Sequence, residues 1–539
     1  MLRVARPAIA VALLTATVLL GAPSTAFAHA SLQSSTPAPN SVLEASPPEI
    51  ILDFDDAVEV GVASIELFNG NGDSIEVGMP RHGDDASTLT ASVPALDEGL
   101  YAVIWRVTSA DGHPIDGSFS FQIGTTATGN GDELIAQVRG GARSPESVRW
   151  AYGIARFLSL LGAIAAIGAS GWLLTGASAA GERALARLFC RGAAAVFVLG
   201  TVAAFVLFGA HATAGTFGDA FDPGVWRDVA STDTGRALLL RAVFASALLA
   251  LTVLWDRRQL GWWRGAAVAA SAFAIATFPL SGHANSSSPR LLWFAVDFAH
   301  LAAITVWLGG LFVLLIAGRE VLAAARNERL ARRFSTAATV CIPLIVGTGV
   351  LQVWKLAGNF SDVAATDWGR VLLVKVTLVV VLLAFAAVSR WLLLHDGSTL
   401  IRRTVVVEAL VGVVVLGLAA GMGALPPAPV VAAHPFAAQL ASNGLIVEVS
   451  VGPGVVGSNE LHLVITPPGG SIVPVITVIA RVLLEAEAIP PSLVELLRES
   501  GNHYSGDVTF PRAGEWTLEV IVQVTEDETV LLKATVPVG

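Results

Sequence analysis

Eight long apolar segments limit what this chain can fold into more than any other feature of its sequence. They lie near residues 151–175, 190–211, 236–255, 263–281, 290–316, 335–357, 370–394 and 404–424. Each is long enough to span the hydrocarbon core of a bilayer as a helix. Of the 539 residues, 54% are hydrophobic and only 14% are charged, which is too apolar for an ordinary soluble protein. The sequence therefore predicts a multidomain membrane protein with an eight-helix transmembrane bundle over residues 150–425.

The arginines between these segments predict the orientation of the bundle. They fall in alternate loops, at Arg183, Arg187, Arg191, Arg257, Arg258, Arg319, Arg326, Arg329, Arg332, Arg333, Arg390, Arg402 and Arg403. Loops rich in arginine face the cytoplasm, which leaves both flanking regions outside. The first residues agree, because Arg3 and Arg6 precede an apolar core and a cleavage motif that ends at Ala28. We expect a signal peptide over residues 1–28 and a multi-pass protein of the plasma membrane, with the bilayer as a partner.

The regions that flank the bundle have the alternation of β-strands. Residues 29–125 contain short alternating runs separated by turns, and Tyr101, Val103 and Trp105 share one face of such a run. This pattern predicts an N-terminal β-sandwich, joined to the bundle by a linker over residues 126–149. Residues 434–539 predict a second, small extracellular β-sandwich, with a short helix expected at IPPSLVELLRES, residues 489–500.

One motif occurs twice in the bundle. TDTGRALLLR at 232–241 and TDWGRVLLVK at 366–375 both stand at the start of a predicted span, four helices apart. The repeat predicts two parallel four-helix halves. Helix capping by Thr and Asp accounts for the motif as well as a functional role does.

The residue after the predicted cleavage site is His29. Cleavage would give it a free α-amine, and this amine and Nδ1 of the same residue can chelate one metal ion, with a preference for copper(II). Asp111 and His113, two residues apart on an extended strand, point to the same side. Taken together, His29, Asp111 and His113 offer three nitrogens and one oxygen, although an Asp-Gly-His sequence alone is more often a turn.

Residues 29–124 resemble the CopC family of periplasmic copper-binding proteins. The resemblance rests on His29, on the opening STPAPNSVLEASPPEIILDFDD and on the stretch DGHPIDGSFSF. It implies that the copper(II) ligands are His29, Asp111 and His113. Most of residues 150–430 is similar to the CopD family through SGHAN, DFAHLAAITVWLGGL, TDWGRVLLVK and VEALVGVVVLGLAAGMGALPPAP. The two resemblances together imply a CopC-like domain fused to a CopD-like copper resistance or transport domain.

Three histidines in the spans form a candidate copper site in the outer half of the bundle. They are His211, His283 and His300, and Asp297 lies one turn before His300 on the same helix face. Ionisable groups in apolar spans are rare and often functional, but a structural hydrogen-bond network explains each histidine singly as well as metal binding does. Arg241 and Lys375 would repel a metal ion there unless Asp297 pairs with one of them.

These features predict copper(II) binding outside the cell coupled to copper import across the plasma membrane, rather than an enzyme. Copper is the expected ligand, and the extracellular copper donor stays open. Two alternatives remain: a haem- or copper-dependent membrane redox protein, and a membrane-anchored copper buffer or sensor. The net charge of −10 gives no electrostatic footing for nucleic acid. The sequence also lacks a nucleotide-binding loop, so we expect no ATP-driven pumping.

Overall fold

A computed structural model provides the structure of the chain. It describes residues 30–124 apart from 31, 38, 40 and 111; 131–138; 145–175; 184–323 apart from 283, 286 and 288; 325–356; 366–394; 398–425 apart from 424; and 436–538 apart from 443, 453, 455, 468–474, 485–488, 501, 526 and 527. Within these residues the backbone forms two β-sheet regions on either side of a set of long helices. The predicted fold class is confirmed.

The N-terminal region is a sandwich of two sheets. Its strands are β1 (Leu32–Thr36), β2 (Val42–Leu43), β3 (Glu49–Phe54), β4 (Val58–Asn69), β5 (Ser74–Ile75), β6 (Arg81–His82), β7 (Thr88–Ser92), β8 (Gly99–Ser109) and β9 (Pro114–Ile123). One sheet has the order β1-β3-β7-β6 and the other has the order β2-β9-β8-β4-β5. The alternating apolar residues meet between the sheets, where the ring of Trp105 packs edge-on against Phe54 at 5.4 Å.

Ten α-helices follow the first sandwich within the residues that the structure describes. They are α1 (Gly131–Val138), α2 (Glu146–Thr175), α3 (Ala184–Ala212), α4 (Pro223–Ser231), α5 (Asp233–Val253), α6 (Gly261–Ala276), α7 (Arg290–Ala323), α8 (Ala325–Leu356), α9 (Asp367–Leu394) and α10 (Ser398–Met422). Eight of them, all but α1 and α4, are long and apolar enough to cross a membrane, α6 together with the 3₁₀ turn Pro279–Ser281 that follows it. These eight coincide with the eight segments predicted from hydropathy.

The repeated motif builds the same helix start in both halves of the bundle. Thr232 Oγ1 accepts a hydrogen bond from Gly235 N at 2.9 Å at the start of α5, and Thr366 Oγ1 accepts one from Gly369 N at 3.1 Å at the start of α9. Each helix then carries an exposed Asp–Arg ion pair three residues apart, with N–O distances of 3.3 and 3.2 Å. The motif is therefore a helix cap in both places.

The two halves meet where α2 crosses α7. A Cβ on Gly168 would lie 2.2 Å from the carbonyl oxygen of Thr305, and a Cβ on Gly309 would lie 2.4 Å from the Cα of Gly168. Close approach of this kind is typical of small residues at helix crossings in membranes. The crossing brings the first helix of each half together at the centre of the bundle.

A second sandwich ends the chain. Its strands are β10 (Phe436–Ser442), β11 (Leu445–Gly452), β12 (Gly457–Thr466), β13 (Thr477–Leu484), β14 (Ile489–Val494), β15 (Leu497–Ser500), β16 (His503–Phe510), β17 (Gly514–Gln523) and β18 (Thr529–Val538). They form the sheets β10-β11-β12-β16-β15 and β14-β13-β17-β18. The helix expected at residues 489–500 is wrong, because β14 pairs with β13 and β15 pairs with β16. Pro490 and Pro491 fit there because β14 is an edge strand and its register with β13 shifts between Val482 and Leu484, so that neither proline has a partner in the ladder.

The N-terminal sandwich is docked on one end of the bundle. Arg106 Nε of β8 donates to the carbonyl oxygen of Ala212, the last residue of α3, at 2.6 Å. The backbone N of Asp233, the first residue of α5, donates to Glu59 Oε1 of β4 at 2.7 Å. Asn285 Nδ2 donates to the carbonyl oxygen of Ala110 at 3.1 Å. Three separate hydrogen bonds thus fix the sandwich to the bundle.

Candidate functional site

A cavity lies at the boundary between the N-terminal sandwich and the bundle. Its volume is about 240 Å³. The described residues that line it come from the sandwich, from both halves of the bundle and from the segment between α6 and α7: His113, Arg156, Ser281, Gly282, Ala284, Trp293, Asp297, Gln352, Lys355, Leu356, Trp368, Lys375, Ala419, Met422 and Gly423. The cavity joins the domain in which the sequence predicts metal capture to the bundle in which it predicts transit.

His113 enters the cavity from the turn between β8 and β9. The turn is closed by hydrogen bonds from Ser109 N to the His113 carbonyl oxygen at 2.9 Å and from Gly112 N to the Ser109 carbonyl oxygen at 2.8 Å. Gly112 has a φ of 86°, which favours glycine. A Cβ on it would lie 2.8 Å from Thr234 Oγ1 of α5, so the turn also presses directly on the bundle. His113 is thus held at the docked face.

The start of the described chain is attached to the same turn. Ala30 is buried, and its backbone N donates to Ser109 Oγ at 3.2 Å. Ser109 is therefore bonded both to the backbone that follows residue 29 and to the carbonyl oxygen of His113.

Asp297 lines the cavity from α7. Its Oδ1 accepts a hydrogen bond from Gln352 Nε2 of α8 at 2.8 Å. On the same helix as Gln352, the Lys355 ammonium lies 4.7 Å from the centre of the Trp293 ring, a cation–π contact. Asp297 is the only carboxylate among the described lining residues, against the three cations Arg156, Lys355 and Lys375.

His211 is buried and His300 is half-buried in the bundle. The ring of His211, at the end of α3, stacks on Tyr152 of α2 with centroids 4.8 Å apart, and His211 lies within electrostatic range of His113. His300 Nδ1 lies 2.7 Å from Thr348 Oγ1 of α8. Thr348 Oγ1 in turn donates to the carbonyl oxygen of Leu344. The hydroxyl therefore accepts from His300, which places the Nδ1 proton on the imidazole and leaves Nε2 as the nitrogen with a lone pair.

The cations that end the two copies of the repeated motif, Arg241 and Lys375, have different surroundings. Arg241 donates from Nε to Thr277 Oγ1 at 3.1 Å and from one terminal nitrogen to the Thr277 carbonyl oxygen at 2.9 Å and Ser281 Oγ at 2.7 Å. Its guanidinium also lies over the ring of Phe278 at 3.8 Å. Lys375, at the equivalent position of α9, lines the cavity, and no hydrogen bond or ion pair joins it to another described residue.

The pKa values of two charged groups of the sandwich are shifted where the sandwich docks on the bundle. Burial is the main reason that the pKa of Glu59 rises to about 7, and the neighbouring Asp233 raises it further, against the hydrogen bond from the Asp233 backbone. Burial lowers the pKa of Arg106, and Asp116 acts in the opposite direction. Arg106 nevertheless remains a cation that caps the negative end of α3.

Comparison with known proteins identifies the parts of the chain. Residues 32–124 match the CopC domain, residues 146–290 match the copper resistance protein D-like N-terminal domain, and residues 328–422 match copper resistance protein D. The chain belongs to the CopC–CopD family of copper resistance proteins. Membership makes copper the ligand that this protein handles in the membrane.

Individual relatives cover different parts of this family architecture. The copper transport protein CutJ of Bacillus subtilis strain 168 is 28% identical over 463 residues, which are 83% of this chain and 84% of CutJ. Copper resistance protein C of Escherichia coli is 32% identical over 120 residues, or 21% of this chain and 94% of that protein. The crystal structure of CopC from Methylosinus trichosporium OB3b is 29% identical, with a TM-score of 0.17, and covers 19% of this chain and 98% of that chain.

The two copper sites predicted from the sequence stay predictions. His29, Asp111 and His283 lie outside the described residues. Among the residues that the structure describes, no three His, Cys, Asp or Glu side chains are grouped closely enough to hold a metal ion. The CopC domain and the CopD bundle do bring His113 and Asp297 to one cavity.

Sequence reasoning missed several lining residues. Gln352, Lys355 and Arg156 gave no signal, since a single polar residue near the end of an apolar span is most often a solvated one. Met422 could have been found, because it is the one methionine in the predicted spans and a thioether is a copper ligand. His113, Asp297 and Met422 contribute an imidazole, a carboxylate and a thioether to the lining of this cavity, and each of these groups is able to ligate copper.

Proposed function

We propose that this protein binds copper(II) on the outer side of the plasma membrane at His29, Asp111 and His113 and passes copper inward through its CopD bundle. In this proposal both sandwiches are extracytoplasmic. The copper ion is the cargo, and the protein does not change it chemically. The positive-inside distribution of arginines supports this orientation.

One observation supports transfer most strongly: His113 of the CopC domain and Asp297 of the bundle line a single cavity. An ion released from a site that includes His113 can reach the Asp297 carboxylate within the same cavity, without first returning to bulk solvent. The attachment of Ala30 to Ser109 supports the participation of His29, since it keeps the adjoining backbone at the His113 turn. Beyond the cavity, His211, His283 and His300 are the proposed transit ligands.

Copper accumulation in cells that express the protein tests this function. The His113→Ala variant should accumulate several-fold less copper than the wild type, because one ligand of the capture site is gone. His82→Ala is the matched control, since His82 is exposed on β6 of the same domain and does not line the cavity. Equal copper accumulation by the His113→Ala variant and the wild type, at equal amounts of protein in the membrane, would refute the proposal.

A further inference from the structure

Two histidines face each other on the C-terminal sandwich. His462 lies on β12 and His503 on the adjacent antiparallel strand β16, where the register partner of His503 is Val464. Residues two apart on a strand share a face, so both imidazoles lie on the same face of the five-stranded sheet. Nδ1 of His462 is 3.3 Å from Nε2 of His503, and the rings are stacked with their centroids 5.5 Å apart.

A carboxylate orients one of the two rings. Nε2 of His462 lies 3.1 Å from Glu460 Oε1, on the same strand and the same face. Because the carboxylate accepts a hydrogen bond, Nε2 of a neutral His462 carries the proton and Nδ1 turns its lone pair toward His503. A carboxylate bonded to the far nitrogen is the usual support of a histidine that ligates a metal.

The distance between the two facing nitrogens suits a shared metal ion. With metal–nitrogen bonds of about 2.0–2.1 Å, a separation of 3.3 Å corresponds to an angle at the metal of about 105–110°, so the two nitrogens can bind one ion as neighbouring ligands. In the metal-free pair, a proton on His503 Nε2 bridges the nitrogens. When a metal ion binds, this proton moves from Nε2 to Nδ1 of His503, which stays neutral and gives the lone pair of Nε2 to the metal.

Solvent can reach the pair. The side chains of His462 and Glu460 are 16% and 36% exposed, whereas His503 is only 9% exposed. Water can therefore complete the coordination that two protein ligands leave open.

We propose that His462 and His503 are ligands of a second copper site, on the C-terminal sandwich, in which Glu460 positions His462. Imidazole nitrogen binds copper(II) more tightly than the other divalent first-row ions, and the chain belongs to a family that handles copper. The site is separate from the cavity and does not depend on His29, Asp111 or His113. It goes beyond the transfer proposed above.

Copper titration of the full chain in detergent micelles, in competition with a chromogenic chelator, tests the proposal. His462→Phe and His503→Phe keep an aromatic ring for stacking, and each should bind one copper(II) equivalent fewer than the wild type. The double variant should lose no more than either single variant, since both residues serve one site. Glu460→Gln should keep the equivalent with several-fold weaker affinity. His82→Phe, on an exposed position of the other sandwich, is the matched control and should bind as the wild type does.

The result that would overturn the second site is an unchanged number of copper equivalents in His503→Phe and His462→Phe. Tighter binding of zinc than of copper at the pair would overturn the assignment to copper.

A footprint on the wild-type chain covers the case in which a variant does not fold. Copper should protect His462 from modification by diethylpyrocarbonate, as measured by mass spectrometry, and no protection would refute the proposal. The His113→Ala variant should lose a different equivalent and keep this protection, so the two proposals can fail separately.

Discussion

Lys375 and Arg241 show how one position of a repeat can have two roles. Arg241 makes three hydrogen bonds at the end of α6 and stacks on Phe278, so that its charge is fully accommodated by the first half of the bundle. Lys375 lines the cavity without a bonding partner among the described residues. The repeat in the sequence predicts that the two positions are equivalent, but only the packing of neighbouring helices decides which cation is satisfied.

The two positions should therefore respond in opposite directions to removal of the charge. Lys375→Met should raise the free energy of unfolding by about 1 kcal/mol, because it removes a desolvated ammonium that has no bonding partner among the described residues. Arg241→Met should lower it by about 2–5 kcal/mol, because several buried acceptors lose their donor. Arg370→Met, at an exposed ion pair of the same helix as Lys375, is the control and should change it by less than about 0.5 kcal/mol. Denaturant unfolding in detergent measures all three, and destabilisation by Lys375→Met would show that this charge has a partner.

The N-terminal residue of the mature chain carries a second prediction. One residue added before His29, or acetylation of its amine, should weaken copper(II) binding at least tenfold, about 1.4 kcal/mol. The reason is that the metal displaces a proton from a terminal amine of pKa about 8 and cannot do so from an amide. A competition titration of the purified chain measures this. Unchanged affinity would mean that the site lies elsewhere.

At the scale of elements, the bundle depends on how closely α2 and α7 approach. Gly168 and Gly309 leave no room for a side chain at the crossing, whereas a Cβ on Gly171, one turn further along α2, would meet no atom within 4 Å. These two glycines of α2 are thus a matched pair in which one lies at a helix contact and the other does not.

Leucine at these two positions should separate packing from helix propensity. Gly168→Leu should lower the free energy of unfolding by about 1–3 kcal/mol or prevent assembly, because the side chain collides with the Thr305 carbonyl. Gly171→Leu should be neutral or stabilising, since leucine favours a helix over glycine. Thermal unfolding of both variants gives the comparison. Equal stability of the two variants would contradict the close crossing.

The elements also show which parts of the fold were predictable. Hydropathy alone located the eight long apolar helices found among the described residues, since a bilayer requires helices of this kind. The helix expected at residues 489–500 was wrong because so short an apolar pattern fits a helix and a strand equally well, and pairing with the neighbouring strands β13 and β16 decides its conformation. Likewise, the sequence singled out His113 and Asp297, but it could not predict that they share a cavity. That depends on how the sandwich docks.

At the scale of the whole molecule, docking of the CopC domain on the bundle is coupled to pH through Glu59. Its pKa of about 7 in the docked form exceeds the ordinary value of 4.5, so the docked form binds the proton more tightly than a separated form would. The stabilisation of docking is therefore fully present below pH about 4.5 and is lost as the pH rises through about 7.

Hydrogen exchange measured by mass spectrometry tests this coupling. After correction for the intrinsic pH dependence of exchange, amides at the start of α5 and in β4 should lose protection between pH 5 and 8 in the wild type. Glu59→Gln keeps an acceptor for Asp233 N without the charge, so its protection should not vary with pH. Loss of protection by the same amount in both proteins would exclude Glu59 as the titrating group.

The central claim is that copper moves from the CopC domain into the bundle through the cavity that His113 and Asp297 line. Uptake of radioactive copper into proteoliposomes that contain the Asp297→Asn variant tests it most directly, with copper(II) binding to the same preparation measured in parallel. Asn keeps the size of Asp297 and its acceptor for Gln352 but removes the charge. We predict wild-type copper(II) binding at the CopC site and uptake at least tenfold slower. Wild-type uptake by Asp297→Asn would contradict the account.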